Sequence, residues 1–132
     1  MKSLGFHHLA LQVRDVERVA AFYRDVLGLQ EIKRWTRDDG SLRSVWLAVE
    51  GSDPLAGFLA VEHLATGVPT PSNVLGPSMI ALRLSPDARA AAIAELAQHQ
   101  VAIEKQTGWT LYVRDPEGTL VGLSHHPFDA LP

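Results

Sequence analysis

One internal repeat constrains the fold of this chain more than any other feature of its sequence. The segment HLALQVRDVERVAAF begins at His8, and MIALRLSPDARAAAI begins at Met79, 71 residues later; the two match position by position. Each opens with an apolar strand pattern and continues with apolar residues at helical spacing. A single repeat of this size predicts a duplicated module rather than a solenoid.

Both halves are predicted to run strand, helix and three further strands. Asp15 and Ser85 are the predicted N-caps of the two helices, and Gly28 is the predicted end of the first. The predicted strands cover 6–13, 29–35, 42–49 and 57–64 in the first half, and 78–84, 101–106, 109–114 and 119–126 in the second. Residues 65–77 are rich in Pro, Gly, Ser and Thr and have no periodicity, which is typical of a linker. We therefore predict an α+β fold of two βαβββ modules, about 4–64 and 78–127.

Composition excludes several classes of function. The chain has 132 residues, of which 46% are hydrophobic, and it contains no cysteine, so neither a disulfide nor a thiolate metal site can form. The net charge is −3 without a basic run, which argues against a nucleic-acid partner. Neither a signal peptide nor an apolar run of the ~20 residues that span a bilayer is present. We expect a soluble, cytoplasmic protein with no membrane partner.

Alternation along the strands predicts which residues share the sheet face opposite each helix. These residues form a mixture of aromatic, small and polar side chains, which suits a ligand cavity better than a dry core. The candidates for ligand contact on this face are His8, Trp46, Phe58, Glu62 and Arg83.

The segment Asp115-Pro116-Glu117-Gly118 predicts a hairpin with Gly118 in the left-handed position. Such a loop pairs Asp115 with Thr119 and therefore places Tyr112 opposite Gly122. Tyr112 joins the candidate face on this basis. Trp109 is expected on the other face, in the core.

The quoted opening, extended to HLALQVRDVERVAAFYRDVLGL, and the closing YVRDPEGTLVGL resemble the modules of the vicinal oxygen chelate superfamily. This group contains glyoxalase I, extradiol dioxygenases, fosfomycin-resistance transferases and bleomycin-binding proteins, and its closing signature is Y-F-x-D-P-x-G-x-x-I-E-L. The resemblance covers nearly the whole chain. It implies that the paired modules form a half-open, barrel-like cup. It also implies a homodimer, often by exchange or edge-to-edge pairing of modules.

The resemblance also implies where a metal would bind. Metal-using members take ligands from the first strand of each module, a mid-module strand and the last strand, and these positions correspond to His8, Met79, a residue near Glu62, and Gly122. Gly122 has no side chain, and the Met79 thioether is poorly matched to the divalent ions of these enzymes. His8 and Glu62 alone would make a weak site. We therefore expect no metal cofactor.

Three hypotheses for function remain open. The first is metal-independent binding of a small, partly planar organic ligand in the cup, as in the bleomycin-binding relatives. The second is an enzyme of the lyase or ring-cleaving dioxygenase kind, with a degraded or relocated divalent metal site around His8 and Glu62, or with one of them as a metal-free general base. The third is an accessory subunit whose cup is covered by a partner protein. Each candidate residue could also simply pack: His8 as a buried histidine, Trp46 as a space filler.

Overall fold

The computed structural model describes residues 1–71 and 73–127, so Ser72 of the predicted linker lies outside the described residues. The chain divides into two compact units between Val68 and Pro69. Each unit contains one four-stranded sheet with the same topology, which confirms the α+β fold of two βαβββ modules. We call the units the first and the second module.

The first module is a mixed sheet in the order β1-β4-β3-β2. Its elements are β1 (His8–Val13), α1 (Val16–Ala21), a π-helical segment (Phe22–Val26), β2 (Gln30–Thr36), β3 (Leu42–Ala48), a 3-10 turn (Pro54–Ala56) and β4 (Phe58–His63). β1 runs parallel to β4, and the other neighbours are antiparallel. The crossover from β1 through α1 lets β1 form the edge of the sheet.

The helix of the first module begins where the sequence predicts. Asp15 caps it, because its Oδ1 accepts a hydrogen bond from the backbone N–H of Arg18 at 3.0 Å. The last turn widens into the π-helical segment, and Gly28 follows with a positive φ of 78°. Val16 and Val19 of α1 are buried on the same side of the sheet as the core residues Val45, Leu47, Leu59 and Val61 of β3 and β4.

The second module repeats this plan in the order β5-β8-β7-β6. Its elements are β5 (Ile80–Arg83), a 3-10 turn (Pro86–Ala88), α2 (Arg89–Gln98), β6 (Lys105–Gln106), β7 (Thr110–Arg114) and β8 (Leu120–Ser124). The predicted strand 101–106 is wrong except for its last two residues. The N–H of Val101 donates to the Leu96 carbonyl at 2.8 Å, so residue 101 is hydrogen-bonded to the last turn of the helix and not to a neighbouring strand.

The hairpin between β7 and β8 forms as predicted. The N–H of Asp115 donates to the Thr119 carbonyl at 3.0 Å, and Gly118 has a φ of 94°. The buried carboxylate of Asp115 accepts from the backbone N–H groups of Glu117 and Thr119, both at 2.9 Å. This register places Tyr112 directly opposite Gly122.

The prediction that Trp109 lies in the core is wrong. Trp109 precedes β7 and is 44% exposed. Its ring meets the rings of His125 and His126 edge-on, with centroids 5.7 and 5.4 Å away. Within the described residues, no helix has the length and apolar character needed to cross a membrane.

Candidate functional site

In each module, the sheet face opposite the core carries the predicted ligand residues, and we call it the aromatic face. In the first module it carries His8, Ala10, Gln12, Lys33, Trp35, Ser44, Trp46, Ala48, Phe58, Ala60 and Glu62. In the second it carries Ala81, Arg83, Lys105, Thr110, Tyr112, Gly122 and Ser124. The six predicted ligand residues therefore all fall on an aromatic face, four in the first module and two in the second.

A continuous series of aromatic rings crosses the first module. The imidazole of His8 stacks on Phe58 with centroids 5.0 Å apart and an interplanar angle of 8°. Phe58 in turn stacks on Trp46 at 4.5 Å, and Trp46 meets Trp35 edge-on at 5.5 Å. Since these four residues belong to four different strands, each ring is fixed by its own strand and by its neighbours. They form a preorganised apolar platform.

His7 adds a second imidazole at the start of β1. Its Nδ1 lies 2.8 Å from Nδ1 of His8, so one ring donates a hydrogen bond and the other accepts it. The His7 ring also meets Phe58 edge-on at 5.6 Å. Phe58 thus contacts both histidine rings.

A row of polar groups lies beside the platform. Register places Trp35 beside Ser44, and Ser44 beside Glu62, with Gln12 beyond it on β1. Ser44 is 3% exposed, and within the described residues neither its Oγ nor the Trp35 Nε1 has a hydrogen-bond partner. Unsatisfied buried polar atoms are rare because they are destabilising, and they often mark a functional place. Ser44 was not among the predicted ligand residues, although its alternation with Trp46 and Ala48 already indicated this face.

The register of the first module separates His8 from Glu62, the two residues around which the alternative hypothesis placed a metal. His8 lies opposite Phe58, whereas Glu62 lies opposite Gln12, four residues further along the paired strands. At strand rise this separates the two side chains by about 13 Å. They cannot ligate the same ion from these two strands.

In the second module, the two positions that the resemblance assigned to ligands do touch. A Cβ built at Gly122 would stand 3.5 Å from the Met79 sulfur and 3.3 Å from the Thr110 methyl carbon. The methionine therefore covers the place from which a carboxylate at 122 would project. This pair is apolar. Arg83, on the same face, is exposed and lies opposite Ser124.

Comparison of the modules corrects the mid-module position. In the second module, Gly122 pairs with Ala81, which lies two residues after Met79. In the first module, the residue two positions after His8 is Ala10, and Ala10 pairs with Ala60. The counterpart of Gly122 is therefore Ala60, not Glu62. The four equivalent positions hold His8, Ala60, Met79 and Gly122, and only His8 is a good ligand for a divalent ion. The residues present do not fit the metal site that the superfamily implies. Across 1–71 and 73–127, no cluster of three or more His, Asp or Glu side chains could hold a metal.

Glu31, the other carboxylate on the strands of this sheet, lies on the core side, where it and Glu17 of α1 pair with arginines. Arg34 donates to Glu17 at 2.5 Å and to Glu31 at 2.8 Å, and Arg24 donates to Glu31 at 3.1 Å. The hydrogen bond from Arg34 is the main cause that lowers the pKa of Glu17. Glu62 is consequently the only carboxylate that the described strands of the first module present on the aromatic face.

Family comparison agrees with this fold and these motifs. The family model of the Glyoxalase/Bleomycin resistance protein/Dioxygenase superfamily matches residues 5–123. The chain belongs to this superfamily. No curated protein sequence matches it.

Solved structures share the fold over almost the whole chain. A glyoxalase/dioxygenase from Nostoc punctiforme has a TM-score of 0.75 at 20% identity, covering 94% of this chain and 92% of its own. A mutant of the fosfomycin resistance protein FosX from Listeria monocytogenes, in complex with Mn(II) and 1S,2S-dihydroxypropylphosphonic acid, has a TM-score of 0.77 at 14% identity, covering 97% of each chain. Lactoylglutathione lyase from Agrobacterium tumefaciens has a TM-score of 0.67 at 19% identity, covering 94% and 95%. At these identities the likeness shows the fold alone.

Proposed function

We propose that this protein binds a small planar organic molecule on its aromatic face without the help of a metal. The observation that carries the proposal is the set of equivalent positions His8, Ala60, Met79 and Gly122. Superfamily members that use a metal need ligands there, and this chain has one. Binding by shape, stacking and a few polar contacts does not need the missing ligands.

The aromatic platform supports the same proposal. Trp46 is half-buried and stacks on the buried ring of Phe58, so a flat ligand would contact at Trp46 a ring that is already ordered. The Ser44 hydroxyl and the Trp35 indole N–H, both buried beside this stack, are hydrogen-bond donors that the described residues leave without partners. Glu62 presents an acceptor in the same row. The proposed ligand thus has a flat apolar body and at least one polar edge.

Three further expectations from the sequence belong to this proposal. Arg83 and Tyr112 are proposed as ligand contacts from the second module. A homodimer is proposed from the resemblance. A cytoplasmic location is proposed from the sequence.

Titration with naphthalene-2-carboxamide, a neutral planar probe, tests the proposed function. We expect binding by calorimetry in the presence of EDTA, and a loss of about tenfold or more in affinity for Trp46→Ala, because aromatic anchors dominate such sites. Trp109→Ala is the matched control, since Trp109 lies outside the aromatic face and should leave the affinity unchanged. No binding by the wild type, or equal affinity in Trp46→Ala, would contradict the proposal.

A further inference from the structure

The two modules carry the same row of four side chains across their aromatic faces. In the first module, the paired residues on the four adjacent strands are Lys33 on β2, Trp46 on β3, Ala60 on β4 and Ala10 on β1. In the second module, the corresponding strands join Lys105, Tyr112, Gly122 and Ala81. Both rows read lysine, large aromatic, small residue, alanine.

Lysine is scarce elsewhere in the chain, which makes this coincidence informative. The sequence contains three lysines, and two of them occupy the equivalent place in the two rows; the third is Lys2. Six ion pairs within the described residues are made by Arg24, Arg34 and Arg114, and none of these six involves a lysine. Lys33 and Lys105 have no carboxylate partner among these residues.

Both ammonium groups lie close to aromatic rings. Nζ of Lys33 is 4.6 Å from the ring centroid of Trp35, next to Trp46, and Nζ of Lys105 is 5.8 Å from the centroid of Tyr112. Contact with a ring face holds a cation at a defined place at low cost. Both lysines are solvent-exposed, and each ammonium group lies near an aromatic ring of the face: Trp35, beside the row, for Lys33, and Tyr112, within the row, for Lys105.

The dimensions of the row suit a flat molecule of about two rings. The lysine strand and the small-residue strand are two strand spacings apart, about 10 Å. A planar body beside the aromatic ring would reach the lysine with its polar end. Arg43, 5.7 Å from the Trp35 ring centroid, adds positive charge at that end in the first module.

We propose that the ligand of the aromatic face is a planar organic anion, whose ring lies against Trp46 or Tyr112 and whose anionic group pairs with Lys33 or Lys105. This inference rests on the proposed function and adds the charge of the ligand to it. Lysine supplies a mobile point charge with three donors, which suits a carboxylate, a phenolate or an enolate of varied geometry.

The test compares naphthalene-2-carboxylate with its neutral amide, naphthalene-2-carboxamide, by calorimetry in low salt. We expect the wild type to bind the carboxylate about fivefold more tightly, which is the size of one exposed ion pair. The double variant K33Q/K105Q should lose this preference and bind the carboxylate and the amide with similar affinity. The variant K33R/K105R retains the charge and should keep a preference for the acid, and K2Q should match the wild type.

The outcomes separate this inference from the proposed function. If the wild type binds acid and amide equally, or if K33Q/K105Q retains the preference, the anion inference is wrong while planar binding stands. If neither probe binds the wild type, the proposed function itself fails. A preference that disappears in K33Q/K105Q and weakens with added salt supports the inference.

Discussion

The sulfur of Met79 lies 3.5 Å from the point at which a Cβ on Gly122 would stand. In the first module, the side chain beside His8 on β4 is Phe58, which stacks on the imidazole. Apolar and aromatic groups thus occupy the surroundings in which a superfamily metal would need ligands.

The tight packing at Gly122 leads to a prediction about stability. Gly122→Ala should lower the free energy of unfolding by about 1 kcal/mol, because the new Cβ stands 3.3 Å from the Thr110 methyl carbon in a paired strand. Thr110→Ser removes that methyl group but retains the hydroxyl that donates to Ser124. In a double-mutant cycle measured by urea unfolding, Thr110→Ser should relieve the cost of Gly122→Ala. Additive effects would contradict this packing account.

The ligand positions predict indifference to divalent metals. A metal that binds only the folded state would raise the melting temperature. Because three of the four ligand positions hold unsuitable residues, addition of Mn²⁺, Fe²⁺, Co²⁺, Ni²⁺ or Zn²⁺ to tag-free protein should leave the melting temperature unchanged. The measurement is differential scanning fluorimetry with His8→Ala as the comparison. A rise of several degrees that disappears in His8→Ala would show that His8 holds a metal with partners not identified in this structure.

The buried hydroxyl of Ser44 predicts a conflict between stability and binding. Ser44→Ala removes a buried group that lacks a hydrogen-bond partner within the described residues, so the free energy of unfolding should stay equal or rise by up to about 1 kcal/mol. The same change should weaken binding of naphthalene-2-carboxamide if Ser44 donates to the ligand. Chemical denaturation and calorimetry on one protein preparation measure both effects. A loss of stability would mean that the hydroxyl has a native partner.

The ion pairs around α1 predict acid sensitivity. The hydrogen bond from Arg34 lowers the pKa of Glu17 below its ordinary value of 4.5. The carboxylate therefore stabilises the folded state fully above the unfolded pKa, and this contribution is lost as the pH falls through the folded pKa. Both side chains are more than a third exposed, at 37% for Arg34 and 54% for Glu17, so the effect should stay below about 1 kcal/mol.

Urea unfolding between about pH 5 and pH 3 checks this prediction. Arg34→Gln should show a smaller loss of stability on acidification than the wild type, and 1 M salt (about 3 Å of screening length) should reduce the difference. Arg18→Gln, which changes an exposed arginine in the helix that carries Glu17, should show the same pH dependence as the wild type. An identical pH dependence in Arg34→Gln and wild type would show that the interaction of Glu17 with Arg34 does not cause the acid sensitivity.

The sequence allowed prediction of local structure where a turn fixes the register. The DPEG hairpin correctly placed Tyr112 opposite Gly122, because its loop type determines the pairing of both strands. Asp15 correctly marked the start of α1. Period-two alternation correctly placed Trp46 and Phe58 on one face, because it depends only on neighbouring residues in a strand.

Registers that depend on a crossover could not be predicted in the same way. β1 and β4 are parallel and joined through a helix and two other strands, so no turn indicates that His8 meets Phe58 rather than Glu62. A register shift between Glu31 and Lys33 likewise hid the equivalence of Lys33 with Lys105. Trp109 lies just before β7 begins, where alternation no longer determines burial.

The central claim is that the aromatic face binds a planar molecule without a metal, and one comparison tests it most directly. The affinity for naphthalene-2-carboxamide is measured by calorimetry on tag-free protein in EDTA and again in Mn²⁺, with mass spectrometry of the metal content of each sample. We predict the same affinity in both buffers for the wild type, and a reduced affinity in both for Trp46→Ala. Binding that appears only with bound metal and is lost in His8→Ala would contradict the account.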